Sequence, residues 1–542
     1  MGKQVAILCA ACCALLAPFI NKAVHVDDPL FLWSARQILR DPLRPYEFEV
    51  NWAGGSGITM WSETKNPPLV SYWLAAAIGL WTEDEMVMHL WMWPFAVGAL
   101  IATWALARRH VREPLWPALA LLVSPAFLVS ATTLMADVPA LALLVAGYFM
   151  NVEGTDRENN LLSAAGAVVL GTASLAKYMA TGGIALAALY CALSPKARLR
   201  SLAWLGLSIA PLALWATYGL ALHGAPHFAQ AIEFSAQKIS LVGVISRAIA
   251  TLAFIGGGAV WLLVLAIVQR RRGRLLTLAT IVSASCCAAV AVLGLRLYPT
   301  GVRLPVHGHL LLFGFAFLGT LAIHLALGER NRPVARRTVL QVWVVAVVFF
   351  AIALNWTVNA RTVLFLMPPL AILTWGTIER VGLHRAFTIA AIGLSAAISL
   401  VIAFTDTRMA NSYRAMARDL DYPFGQVLFP NHWGFQYYME QRGFVPIDFM
   451  PRTIRLHERD LVVAAELATA SGPWFGLMNK MREVDSVPVL WPLRLHTMDL
   501  RSGAAFYSSL YGPLPYAFGS DVIERFRFYH IPPPEHASSN TP

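Results

Sequence analysis

The sequence predicts a mainly α-helical protein that crosses a membrane many times and ends in a soluble α/β domain. Three observations predict this. Of 542 residues, 57% are hydrophobic and 13% are charged, which is far from a soluble composition. The apolar residues gather in runs near 4–20, 87–107, 115–131, 136–151, 161–176, 179–194, 201–222, 244–269, 275–295, 307–328, 338–358, 363–378 and 386–405. That gives about thirteen candidate spans, several short of the ~20 residues a crossing helix needs. After residue 406 such runs stop, and short apolar stretches mix with charges, Pro and aromatics.

The first run, Val5–Ile20, follows Lys3 and ends Ala17-Pro18-Phe19-Ile20, with no small-residue cleavage site. It reads as a retained anchor rather than a cleaved signal. The short runs on either side of Lys177 read as tilted, half-inserted or packed inside the protein. Basic clusters punctuate the runs: Arg108-Arg109 with Arg112, Lys196/Arg198/Arg200, Arg270-Arg271-Arg272 with Arg274, Arg330/Arg332/Arg336/Arg337, and Arg380/Arg385. If the spans alternate, these clusters share one side, which the positive-inside rule makes cytoplasmic. The acidic pair Asp27-Asp28, Lys65, Asp137, Lys177 and Arg361 then fall on or near the other side. The net charge of +11 is thus a topology signal and not a nucleic-acid footprint. All six cysteines lie in apolar runs, so neither a disulfide framework nor a zinc site follows.

These boundaries divide the chain into a membrane domain, 1–406, and a soluble domain, 407–542, with a disordered Pro/Ser-rich tail at 532–542. Within the first, the loop 21–86 is long and patterned. Asp28–Leu39 and Pro68–Leu80 each suit a helix lying in the membrane interface, the second with Tyr72 and Trp73 as interfacial aromatics. In the soluble domain, Gln426-Val-Leu-Phe, Leu461-Val-Val-Ala-Ala and Val487-Pro-Val-Leu-Trp are short apolar alternations, none long enough to span.

A carboxylate pair and a lysine in one membrane-surface loop can serve as a base and an anion clamp. Four segments then carry a resemblance. Val26-Asp27-Asp28-Pro29 with Ala35-Arg36-Gln37-Ile38-Leu39 opens the first loop; Thr64-Lys65-Asn66-Pro67-Pro68-Leu69-Val70-Ser71-Tyr72-Trp73 follows it. Leu134-Met135-Ala136-Asp137-Val138-Pro139-Ala140 comes next, then Asn359-Ala360-Arg361 with Leu366-Met367-Pro368-Pro369-Leu370. In this order they resemble the membrane glycosyltransferases of GT-C fold, of the protein mannosyltransferase and lipid A aminoarabinose transferase type (glycosyltransferase family 39).

The resemblance implies a sugar on a polyprenyl phosphate as donor and a hydroxyl of a lipid, glycan or protein as acceptor. It implies a multi-pass membrane enzyme; the alternation of spans puts its active site and C-terminal domain on the non-cytoplasmic side, and the Arg/Ala/Leu-rich composition with compact loops reads as bacterial, hence the periplasmic face of the inner membrane. Asp27 matches the family's catalytic aspartate, a base for the acceptor hydroxyl. Asp28 stands where the family usually has Glu. Lys65, Lys177 and Arg361 match cations suited to the lipid phosphate. Asp137 joins the catalytic set, with Glu63, Tyr72 and Tyr178 as positioning residues. Metal use varies in the family, which leaves a divalent cation (Mg or Mn) on Asp28 and Asp137 open.

Each residue also has a plainer reading. Asp28 and Glu63 suit solvated interface charges, Asp137 a helix N-terminus after Thr132-Thr133, and Lys177 the end of a short span. His307-x-His309 lacks a nearby third ligand; His432-Trp433 and Tyr437-Tyr438 suit packing better than sugar contact. Two other functions compete. A lipid-linked glycan ligase or polymerase shares the donor class but not the early acidic pair. A flippase or other transporter would show internal repeats and mid-span charges, and the two halves show no repeat.

Overall fold

The structure, a computed structural model, describes residues 2–52, 58–194, 199–238, 240–263, 273–297, 303–328, 334–447, 459–470 and 472–530. Lys196, Arg198, Arg270-Arg271-Arg272, Arg330, Arg332 and the tail 532–542 lie outside the described residues. The chain divides into two compact units: residues 1–21, 65–406 and 495–519 form one, residues 22–64, 407–494 and 520–542 the other.

The first unit is helical. Among the described residues, nine helices of the chain are long and apolar enough to cross a membrane: Gly2–Phe19, Glu85–Ala107, Asp137–Asp156, Leu199–His223, Leu241–Gly258, Arg274–Gly294, Val306–Leu327, Val334–Leu354 and Arg385–Asp419. The last runs on beyond Asp406 into residues of the second unit. The protein is a multi-pass membrane protein, and among the described residues fewer helices reach full span length than the apolar runs suggest. The reason is local. At 115–131 the run breaks into Leu115–Leu122 and Pro125–Ser130, because Pro125 pushes Ser124 to extended backbone (ψ 130°). At 363–378, Pro368 and Pro369 begin a separate helix, Met367–Val381. Asn160–Ala176 has 17 residues, about 26 Å at 1.5 Å per residue, shorter than a ~30 Å hydrocarbon core.

Glycine sets a close helix contact that builds the site. Asp137–Asp156 and Asn160–Ala176 form a hairpin whose entry is capped by Asn159, its Oδ1 accepting from the Leu162 N–H (3.0 Å). A Cβ on Gly147 would lie 2.8 Å from the Leu170 nitrogen, and one on Gly166 would lie 2.5 Å from that of Asn151. Only glycine allows the two backbones this near. The hairpin brings its two outer ends, Asp137 and Lys177, side by side.

The second unit carries the sheet. Its strands lie in the order Val445–Pro446, Val427–Phe429, Leu461–Ala465, Val522–His530, Arg482–Leu490. The first three are parallel and the last two join antiparallel, a mixed α/β arrangement. Leu428, Val462, Trp474 and Tyr529 form its core. Helices Asp28–Arg40 and Trp433–Gln441 belong to the same unit. Residues 22–64, from the first loop, thus fold with late residues, while 495–519 fold with the helices.

Candidate functional site

Within the first unit, Asp137, Lys177 and Arg361 meet. Asp137 opens its helix and is buried. Lys177 caps the C-terminal end of Asn160–Ala176 and pairs with Oδ1 of Asp137. Arg361 lies 3.9 Å from Oδ2 of the same carboxylate. Its guanidinium sits 5.7 Å from the centre of the Tyr507 ring, a cation–π distance.

Arg361 is held from several sides. Asn359 caps its short helix through the Thr362 N–H (2.7 Å). The preceding loop is braced by the segment 506–509. The Ala360 N–H donates to the Phe506 carbonyl (2.9 Å), Ser509 N–H to the Val358 carbonyl (2.7 Å), and Val358 N–H to Ser509 Oγ (3.0 Å). Tyr507 is fixed in turn by donating to Asp406 (2.7 Å), which also accepts from Thr497 (2.8 Å).

Aromatic contacts extend this centre into a ring. Tyr178, next to Lys177, shares its hydroxyl with Nδ1 of His227 (2.7 Å) and accepts from the Trp215 indole (2.9 Å). His227 starts the helix His227–Ala236, which also carries Phe234. Phe234 packs edge-on against Trp356 (5.5 Å), which precedes Arg361 in the chain. Lys65 lies over the Phe234 ring at 5.3 Å, and Lys238 lies at 3.9 Å from Phe234 and 4.6 Å from Trp356. Glu233 on this helix is exposed and accepts from Gln237 (3.2 Å).

Arg247 adds a buried cation. It sits inside the apolar helix Leu241–Gly258, and its Nε donates to the Ile352 carbonyl (2.8 Å) in the π-turn Phe350–Leu354. Its second terminal nitrogen has no partner among the described residues. A charge inside an apolar helix is costly unless it meets an opposite charge or serves a ligand. The sequence reading missed Arg247, Lys238 and His227. An arginine interrupting the apolar run at 244–269 was the available signal.

Asp27, Asp28 and Glu63 belong to the second unit and are described there. Asp27 is half-buried and leads into helix Asp28–Arg40; Asp28 is buried. Oδ2 of Asp28 accepts from the His25 N–H (3.0 Å). Val26 before them has φ 47°, a left-handed value that a β-branched residue rarely adopts. The turn is pinned by the Val24 N–H donating to the Tyr438 hydroxyl (2.8 Å) and by Gly434, where a Cβ would overlap the Val24 carbonyl. Glu63 ends the short helix Met60–Glu63. Tyr72, in the first unit, is exposed on Leu69–Leu80.

A divalent cation does not fit the Asp137 centre, because its carboxylate is bracketed by two cations. Among the described residues no group of three His, Cys, Asp or Glu side chains converges to hold a metal.

Neither a protein-family model nor a curated protein sequence matches the chain. Solved structures with a similar chain course include the archaeal oligosaccharyltransferase AglB of Archaeoglobus fulgidus, in complex with an inhibitory peptide and a dolichol-phosphate. The TM-score is 0.49 at 13% identity, over 85% of this chain and 69% of that one. ArnT of Cupriavidus metallidurans, bound to undecaprenyl phosphate, aligns with a TM-score of 0.40 at 14% identity, over 90% and 96%. The mycobacterial arabinofuranosyltransferase AftD aligns with a TM-score of 0.45 at 13% identity, over 99% of this chain and 40% of that one.

Proposed function

We propose that this chain is an inverting membrane glycosyltransferase. It moves a sugar, hexose or pentose, from a polyprenyl-phosphate carrier to a lipid, glycan or protein hydroxyl at the periplasmic face of the bacterial inner membrane. The observation that carries the reading is the Asp137–Lys177–Arg361 centre. Residues far apart in the chain converge there, in a circuit of aromatic contacts that also gathers Lys65 and Lys238. Such a cationic set with aromatic walls suits a phosphodiester attached to a lipid.

In the reaction, the acceptor oxygen bonds to the anomeric carbon while the bond from that carbon to the carrier phosphate oxygen breaks. The electron pair leaves on the phosphate, where cations stabilise the charge. The hydroxyl proton passes to a carboxylate, and Asp27 keeps that role on the motif it occupies.

Buried Arg247 in an apolar helix also suits a lipid-phosphate flippase, and turnover separates the two readings. Purified protein is given polyprenyl-phosphate sugars with a membrane-extract acceptor pool, and free polyprenyl phosphate is measured. Wild type is expected to release it, and folded Asp27→Asn to lose at least about 100-fold of the rate, the range for a general base. Retained activity in the variant moves the base to Asp28 or Asp137. No release from any donor by wild type contradicts the transferase reading.

A further inference from the structure

The second unit holds a polar pocket that the transfer chemistry leaves unused. Its volume is about 250 Å³, just below the roughly 300–1,000 Å³ of drug-sized sites, room for a single sugar ring and too small for a polyprenyl chain. One wall is a single helix face: Trp33, Arg36, Gln37 and Arg40 follow one another at helical spacing on Asp28–Arg40. The facing wall includes Glu49, Asn51, Gln436 and Glu440. We propose that this pocket binds a neutral sugar residue of the acceptor. Calling that sugar part of the acceptor rests on the transferase reading; the binding itself does not.

Charge, shape and fixed polar groups carry the proposal. Arg36 and Arg40 are balanced by Glu49 and Glu440, so the lining selects neither a phosphate nor a cation. It offers instead the mixture of donors and acceptors that a polyhydroxyl ligand uses. Trp33 meets Trp52 edge-to-face at 5.9 Å, and Trp52 lies 5.6 Å from His432. Flat aromatic surface beside hydrogen-bonding groups suits the C–H face and hydroxyl rim of a sugar ring.

The polar groups are held in place. Gln436 is buried, and its amide nitrogen donates to the Asn51 carbonyl (2.6 Å) and to Glu440 Oε1 (2.7 Å). Its oxygen is left to accept from Nδ1 of His432 (2.9 Å). Arg36 donates to the Tyr437 hydroxyl (3.3 Å) and lies over that ring at 5.3 Å.

Saturation-transfer NMR on the purified full chain tests this with D-glucose, D-galactose, D-mannose and L-arabinose as probes. Saturation is expected to reach the ring protons of at least one sugar. It should vanish in Trp33→Ala and survive in Asp137→Asn, whose substitution lies in the other unit. The exposed double substitution Arg40→Ala/Glu49→Ala should weaken the signal several-fold without loss of fold, which covers a failure of Trp33→Ala to fold. No transfer to any of the sugars overturns the proposal, as does a signal that persists in folded Trp33→Ala and in the double variant, or one lost in Asp137→Asn whose fold is shown intact by its melting curve. Donor turnover on the same samples keeps the two readings apart. Sugar binding without turnover leaves the pocket standing and the transferase reading fallen, and turnover without sugar binding does the reverse.

Discussion

Asp137 is stable as a buried anion only while its cations remain. Removing Lys177 alone leaves the carboxylate partly uncompensated, so Lys177→Met is expected to cost about 3–5 kcal/mol, the usual penalty for breaking a buried pair. A detergent-based thermal unfolding series measures it. Arg247 behaves in the opposite sense. Its charge lacks a carboxylate among the described residues, so Arg247→Met should unfold no more easily than wild type, yet bind polyprenyl phosphate about tenfold more weakly, or ~1.4 kcal/mol. Unchanged affinity would reduce Arg247 to a brace for the Ile352 carbonyl. Asp137 and Arg361 were legible in the sequence because each sits in a recognisable short motif, and Lys177 because the family resemblance supplies a matching cation. Lys238, His227 and Trp356 were not, since nothing in the letters says that helix His227–Ala236 brings Phe234 against Trp356.

At the scale of elements, the glycine hairpin positions the site. A side chain at Gly166 must push against the Asn151 backbone, so Gly166→Leu should lower stability by roughly 1–3 kcal/mol. It should also reduce donor turnover, because Asp137 and Lys177 sit at the two ends of the displaced helices. An unchanged melting temperature with unchanged turnover contradicts this.

The sheet supplies a pH prediction. Burial pushes the Glu524 carboxyl from 4.5 up to about 7, opposed by donors from Tyr413 (2.7 Å), Arg525 and Leu467. The folded state then holds the proton more tightly than the unfolded one, so stability falls as pH rises from about 4.5 to 7. Above that window the cost is about 3 kcal/mol. Glu524→Gln should flatten that slope in unfolding measured across the window and stabilise the protein above pH 7; an unchanged slope assigns the titration elsewhere. The helix at Asp28–Arg40 was legible from its mixed apolar and charged pattern, and that at Leu69–Leu80 from an apolar run carrying Tyr72 and Trp73. The breaks in the apolar runs were harder to see, because Pro125 and Pro368 stop a helix without lowering hydropathy.

At the scale of the molecule, the many apolar helices and the change to a soluble α/β domain after residue 406 were legible from the lengths of the apolar runs. The division into units was not. Residues 495–519 carry Tyr507 to Arg361 and Asp406, a long-range pairing that no local pattern encodes. The same holds for Val24 meeting Tyr438. The central claim is that the Asp137–Lys177–Arg361 centre exists to hold a lipid phosphate rather than to hold helices together. The most direct test is polyprenyl-phosphate binding and melting temperature in the double variant Asp137→Asn/Lys177→Gln, beside each single variant. Removing both charges spares the fold the uncompensated ion. The account predicts that the double variant regains most of the stability lost by the singles while polyprenyl-phosphate binding stays at least tenfold weaker than wild type. Recovery of stability and binding together would contradict it.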